Sequence, residues 1–193
     1  MTLGFMQNWP KSMGMKDDKT YFVEKIWTGF YKNGIIGPLE RISFDNEYKE
    51  KFGSFWDGWY TPESTSEKLH TIRHDESDRW KPGMDIHFVI NNRTKDRFQF
   101  APVLKCKSVQ TIEISCANHL SINDEYVSYY DEMEQYGEKW GYALNVKIDG
   151  RQLGSVEVEK LAKNDGFDSV YDFYKYFDKD FKGRLIHWTD LKY

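Results

Sequence analysis

The dipeptide Asp149-Gly150, flanked by Leu144, Val146 and Ile148 on one side and Leu153 on the other, constrains the fold most sharply. A tight type I′ turn needs two consecutive residues at positive φ, and Asp-Gly supplies them at low steric cost. Residues 143–153 are therefore expected to form an antiparallel hairpin. Two further runs carry the β-branched and aromatic content of strands: residues 84–90, Met-Asp-Ile-His-Phe-Val-Ile, and residues 98–114, from Phe98 through Val103, Leu104, Val109 and Ile112 to Ile114. Asn91-Asn92 supports a turn between them. Residues 184–189, Arg-Leu-Ile-His-Trp-Thr, read as a closing strand, which makes the end of the chain part of the sheet system and not a tail.

Helical periodicity occupies other stretches. Phe22, Ile26 and Phe30 fall at i, i+4 and i+8, with Val23 and Trp27 widening the stripe, Thr20 as the expected N-cap and Gly29 or Gly34 as the stop. Residues 155–163 predict a short helix ending at Gly166. Ser169 with Asp172 forms a capping pattern for a second one, whose Val170, Phe173, Tyr174 and Phe177 face inward. Strands mixed with short helices give an α+β architecture in a chain of 193 residues, the length of a single domain. Residues 33–65, with Tyr48, Phe52, Phe55, Trp56, Trp59 and Tyr60, and the acidic, tyrosine-rich residues 117–140 read as insertions into that domain. The first is either an aromatic lid over a base-sized pocket or an extra helix and loop packed on the domain.

Acidic residues exceed basic ones by 31 to 27, for a net charge of −4, which argues against coating duplex nucleic acid through the overall field. A nucleoside or a local RNA contact stays compatible with that balance. Cys106 and Cys116 are too few for a disulfide framework or a zinc site, and both read as reduced core thiols. The first ten residues lack a basic cluster followed by an apolar run, and no stretch is long and apolar enough to span a bilayer, so a cytoplasmic protein with no membrane partner is expected. Phosphate-binding glycine loops, the Gly-x-Ser-x-Gly elbow and His-Glu-x-x-His are all absent from the sequence. His70 and His74 have the i, i+4 spacing of a helical zinc pair but no patterned third ligand, so neither a metal nor another cofactor is expected.

The segment Lys68-Leu69-His70-Thr71-Ile72-Arg73 places an amine, a hydroxyl and a guanidinium within six residues, and Asp75, Glu76, Asp78, Arg79, Trp80, Lys81, Pro82 and Gly83 follow directly. This pattern resembles the ASCH domain family. The resemblance covers residues 68–90 well and the start of the chain and residues 155–178 in part; the two insertions lie outside it. It implies a PUA-like β-barrel with flanking short helices. It also implies similarity to bacterial amidohydrolases that remove the acyl group of N4-acetylcytidine, with a Lys-x-x-Thr pair and a downstream carboxylate. Lys68 and Thr71 match the pair. The family's Glu, placed just before the helix that follows the barrel strands, corresponds to Asp165, which is shorter by roughly one C–C bond.

The chemistry asked of these residues is demanding. A threonine hydroxyl attacks an amide only with a base in hydrogen-bond reach, and a lysine serves as base only if burial or a positive neighbour such as Arg73 lowers its pKa. Residues three apart on a regular strand point to opposite faces, so Lys68 and Thr71 share a site only if the segment departs from strand geometry. Each residue also has an ordinary structural reading: Lys68 and Arg73 as charges flanking a strand, Thr71 as a strand former, Asp165 as the turn residue ahead of Gly166. Three functions remain open at this stage. The first is hydrolysis of an N4-acylated cytidine or related nucleoside by Thr71, Lys68 and Asp165. The second is a non-catalytic module that holds single-stranded RNA or a modified base through Arg73, His70, Arg79, Trp80 and Lys81. The third is an interaction protein, of a phage or mobile element, whose insertions bind a protein partner.

Overall fold

The computed structural model describes residues 1–14, 18–57, 66–117 and 143–193. Among them it is a mixed α+β structure with four helices and two sheets, neither of which closes on itself. The smaller sheet centres on β3 (Asp85–Ile90), which pairs in parallel with β1 (Thr2–Gly4) and antiparallel with β4 (Phe98–Gln99) and β5 (Leu104–Lys105). The larger has the order β2-β9-β6-β7-β8, built from β2 (His70–Arg73), β9 (Phe181–His187), β6 (Ser108–Ala117), β7 (Ala143–Ile148) and β8 (Arg151–Gln152).

The expected hairpin is present as β7 and β8, with Asp149 and Gly150 at φ 50° and 80°. The closing strand is β9, which lies between β2 and β6 in the sheet. The single strand expected over 98–114 is instead three pieces, β4, β5 and β6. Pro102 cannot donate to a ladder, and the chain leaves one sheet and joins the other across this stretch. The insertion at 117–140 lies outside the described residues except for its first, Ala117, the last residue of β6.

Helix α1 (Phe22–Lys32) carries the predicted stripe, with Ile26 and Phe30 fully buried. Its N-cap is Tyr21, held at φ 54°, and not Thr20. The Thr20 hydroxyl still takes the Phe22 N–H at 3.3 Å, while donating to the Met6 carbonyl at 2.7 Å. Helix α2 (Pro38–Phe52) occupies the first insertion, opened by Pro38 at the first turn and closed by Gly53 at φ 80°. It leans on α1 and β4 through Phe44, Tyr48 and Phe52, with Trp27 5.9 Å from Phe44 and Phe98 5.3 Å from Tyr48. The packed-helix reading of that insertion therefore describes residues 38–52; Trp59 and Tyr60 lie outside the described residues. Helices α3 (Ser155–Asn164) and α4 (Val170–Tyr176) follow, with the Ser169 hydroxyl accepting the Asp172 N–H at 3.1 Å as its cap.

Aromatic rings join the two sheets. Trp188, just past β9, meets Phe88 of β3 edge-on at 5.1 Å, and Phe88 meets Phe30 of α1 at 5.3 Å in the same manner. Cys106 is a buried free thiol, as expected; the Cys116 side chain is outside the described set. No helix among the described residues is long and apolar enough to cross a membrane.

Candidate active site

Lys68 reaches its position through main-chain contacts on both sides. Its N–H donates to the Lys25 carbonyl of α1 at 2.9 Å, and the Leu69 N–H donates to the Asn164 carbonyl at the end of α3 at 2.8 Å. This clamp needs Gly29 in the middle of α1, since a Cβ there would stand 2.9 Å from the Lys68 carbonyl oxygen. Strand β2 starts only at His70, so residues 68 and 69 lie outside its ladder and are held by α1 and α3 instead.

Asp165 approaches from the other direction, as the C-cap of α3. Gly166 follows at φ +92°, where any side chain would be strained and its Cβ would press on Lys68 Cδ and the Phe22 ring, each at 3.1 Å. The Lys68 ammonium donates to the Asp165 main-chain carbonyl and lies 3.0 Å from Asp165 Oδ1, with the Phe22 ring 4.6 Å away. Lys25, also buried, closes the same turn by donating to the Gly166 carbonyl at 2.8 Å and to Asp168 at 2.6 Å.

Asp165 Oδ1 has two more neighbours. The Ile72 N–H donates to it at 3.1 Å, because β2 is the edge of its sheet and has main-chain donors to spare. His70 Nδ1 lies 3.3 Å away with a geometry too poor for a hydrogen bond, so the contact is electrostatic. On its other side the His70 ring meets the Tyr193 hydroxyl at 2.8 Å, and that hydroxyl accepts from Asn164 at 2.9 Å. Lys68, Asp165, His70, Tyr193 and Asn164 thus form one buried polar chain.

Burial dominates the electrostatics. It pulls the Lys68 amine down from 10.5 to about 8; Asp165 pulls the other way, and Arg73 and Lys25 add to the depression. Asp165 is pushed up by burial, yet Lys68 and His70 outweigh that and hold its carboxyl below the usual range. Burial also keeps His70 neutral-leaning, its pKa lowered, and takes His187 down to about 3. His187 lies beside His70, ring centroids 5.3 Å apart, and neither of its ring nitrogens meets a hydrogen-bond partner among the described residues.

Thr71 is buried, at 3 % exposure, opposite Ile186 in the β2–β9 ladder. Strand alternation sets Thr71 and Arg73 on one face and His70 and Ile72 on the other, and none of the described hydrogen bonds joins the Thr71 hydroxyl to Lys68 or Asp165. Arg73 donates to the Gly4 carbonyl at 2.6 Å and lies over the Phe5 ring, and burial lowers its pKa. The remaining predicted ligand-binding residues separate from the cluster. Trp80 is a core side chain; Arg79 and Lys81 are exposed and bonded to Asp75 and Asp78. His74 is exposed and its i, i+4 partner His70 is fully buried, and no group of three metal-binding side chains exists among the described residues.

Sequence reading missed the roles of Asn164, Tyr193 and Lys25. Asn164 is the residue before Asp165 and was visible as part of the same turn, whereas Tyr193 reaches the site only because β9 returns the chain next to β2. Comparison with protein-family models, with curated proteins and with solved structures yields no match to this chain.

Proposed function

We propose that the Lys68–Thr71–Asp165 group is the reaction centre of an amidohydrolase acting on an N4-acylated cytidine or a related modified nucleoside, in a PUA-like, ASCH-type domain. The observation that carries this reading is the buried Lys68 amine, lowered to about 8 and tethered to Asp165. An amine in that range is partly neutral near physiological pH, where an exposed lysine is almost wholly charged, and a neutral amine can accept a proton. Such buried, strongly perturbed groups concentrate at functional sites.

In the proposed reaction the Thr71 hydroxyl, which is not bonded to Lys68 in the free protein, comes within its reach as substrate binds, adds to the acyl carbon and gives up its proton to Lys68. The tetrahedral intermediate collapses as Lys68 returns the proton to the exocyclic nitrogen, releasing cytidine and leaving an acyl ester on Thr71. Water, deprotonated by Lys68, then cleaves the ester to the free acid. Asp165 holds the amine through one short side chain and its own carbonyl, which compensates for the methylene it lacks relative to Glu. Since Lys68 is 1 % exposed, the acyl group reaches it only when a covering side chain yields.

The test is a chromatographic assay with N4-acetylcytidine and longer N4-acyl analogues. Wild type is expected to release cytidine, with kcat/KM rising through an inflection near the Lys68 value of about 8. Thr71→Ala and Lys68→Ala are expected to lose turnover by at least about a thousandfold while Thr71→Ala keeps its melting temperature. Turnover retained in Thr71→Ala overturns the nucleophile assignment. No release across the panel, with salt-sensitive single-stranded RNA binding that depends on Arg79 and Lys81, replaces the hydrolase with a binding module.

A further inference from the structure

One face of the larger sheet carries a row of polar side chains that three neighbouring strands bring side by side. His70 of β2 stands opposite His187 of β9, and His187 stands opposite Ser108 of β6, so the three side chains share a face. All three residues are buried. Among the described residues the two His187 nitrogens and the Ser108 hydroxyl meet no hydrogen-bond partner, and a buried polar atom left unmet is costly. Burial first, and then His70, takes the His187 pKa down to about 3, so its ring is neutral and offers one donor and one acceptor.

The Tyr193 phenol lies against this row. Its ring centroid is 5.4 Å from that of His70 and 6.2 Å from that of His187. Its hydroxyl meets His70 Nε2 at 2.8 Å and accepts from the Asn164 amide at 2.9 Å. The main chain is held lightly: the Tyr193 N–H donates to Gln110 Oε1 at 3.2 Å, its main-chain oxygen accepts from Gln110 Nε2 at 3.1 Å, and residues 188–193 belong to no helix or strand. Single hydrogen bonds, each of small net worth, thus keep a flat ring with one polar substituent over polar side chains, of which it leaves His187 and Ser108 unmet.

We propose that Tyr193 is the resident occupant of a binding place for a planar heterocycle with donors and acceptors on its edge, and that it leaves when such a ring enters. A phenol has one polar atom. The edge of a nucleobase has several, enough to serve His70 and Asn164 as the hydroxyl does and to reach His187 as well. The choice of a pyrimidine nucleoside among such rings rests on the reaction proposed above. Asn164 precedes Asp165 in the chain and His70 Nδ1 lies 3.3 Å from the Asp165 carboxylate. Asp165 in turn takes the Ile72 N–H at the open edge of β2, where the His70 face and the Thr71 face of the sheet meet, so a base in this place lies beside the Lys68 centre.

Cytidine, the product of that reaction, is the probe. The Tyr193 ring resonance of protein labelled at tyrosine, identified by its loss in Tyr193→Phe, is expected to shift saturably as cytidine is added. Tyr193→Ala, which has no occupant to displace, should bind cytidine about tenfold more tightly, and p-cresol, which has the shape of the lost side chain, should compete with cytidine there. A Tyr193 resonance that cytidine leaves in place, an affinity no higher in Tyr193→Ala, cresol that does not compete, or no cytidine binding by either protein overturns the proposal. Should Tyr193→Ala lose its native spectrum, Tyr193→Phe decides: without a hydroxyl for His70 and Asn164 it should bind cytidine about threefold more tightly, and an unchanged affinity overturns the proposal. The outcome separates from that of the hydrolase. Displacement of Tyr193 by cytidine with no release from N4-acetylcytidine keeps this binding place and removes the reaction, whereas release of cytidine with an undisturbed Tyr193 keeps the reaction and removes this binding place.

Discussion

The segment 68–81 holds two charge clusters of similar composition in opposite surroundings. At its start, Lys68 and Asp165 pair in the interior, at 1 % and 8 % side-chain exposure. At its end, Lys81 and Arg184 share Asp78 at the surface, and Arg79 reaches back to Asp75. Inside, each charge has lost its water and must be met by a fixed partner, so geometry is forced and pKa values move. Outside, water does most of the solvation and the ion pairs are interchangeable. Burial, more than residue type, separates a group able to do chemistry from one that decorates a rim.

Removing one interior partner is expected to give the largest effect. Asp165→Ala takes the carboxylate away from the Lys68 ammonium, the Ile72 N–H and His70 together, leaving the ammonium only the main-chain carbonyl of residue 165, and should cost about 3–5 kcal/mol in chemical denaturation. Lys68→Met with Asp165→Asn, which replaces the ion pair by neutral groups of similar volume, should recover much of that loss. If the single variant unfolds no more easily than wild type, the interior pair is not the constraint described here.

The interior pair should also write itself into the pH dependence of stability. Asp165 titrates lower folded than unfolded, so its contribution is present above the unfolded carboxylate pKa and is lost as pH falls through the lower folded value. Lys68 has its folded pKa lowered to about 8 from 10.5. Between those values the unfolded chain holds the proton and the folded one does not, so stability rises with pH by up to about 1.4 kcal/mol per unit from this group. The difference between wild type and Lys68→Met, measured by denaturant unfolding from pH 7 to pH 10, should show that slope; parallel curves would sink it.

Asp75 falls between the two extremes. Its side chain has no exposed surface, and its hydrogen-bond partners, Arg79 and Trp80, come from its own loop. Burial would raise its pKa, but the Trp80 N–H, the Arg79 side chain and the Arg79 N–H more than offset that. Asp75→Ala leaves two main-chain donors unmet and is expected to cost about 1–3 kcal/mol. Arg79→Ala, which removes only the exposed half, should cost well under that, and equal losses would mean that the side-chain pair and not the loop carries the energy.

Which parts of this could be read from sequence follows the same division. Local signals translated directly: Asp149-Gly150 into its hairpin, Ser169 into its cap, Gly166 into its left-handed turn. The Lys68–Asp165 meeting was legible only through the family resemblance, because the residues are far apart in sequence and meet only where α1 and α3 clamp residues 68 and 69. Tyr193 and His187 were not legible as partners of His70, since strand order decides which residues become neighbours and periodicity does not encode order. The burial of Glu24 was hidden for a different reason: a glutamate in the first turn of a helix looks like ordinary dipole compensation until the Trp56 indole meets it.

The smallest expected effect belongs to the outermost pair. Lys81 and Asp78 are both about half exposed, and Arg184 is a second cation for the same carboxylate. In Lys81→Ala the carboxylate keeps Arg184 at 3.0 Å and gains water, so neither the denaturation midpoint nor its salt dependence should change measurably. Nucleic-acid affinity is the sharper probe of this rim, because a cation already satisfied by a neighbouring carboxylate gives little counterion release on meeting a phosphate. If Lys81→Ala leaves stability unchanged but flattens the salt dependence of single-stranded RNA binding, the rim is a phosphate contact in its own right; if it changes neither, the acidic neighbours have already neutralised it.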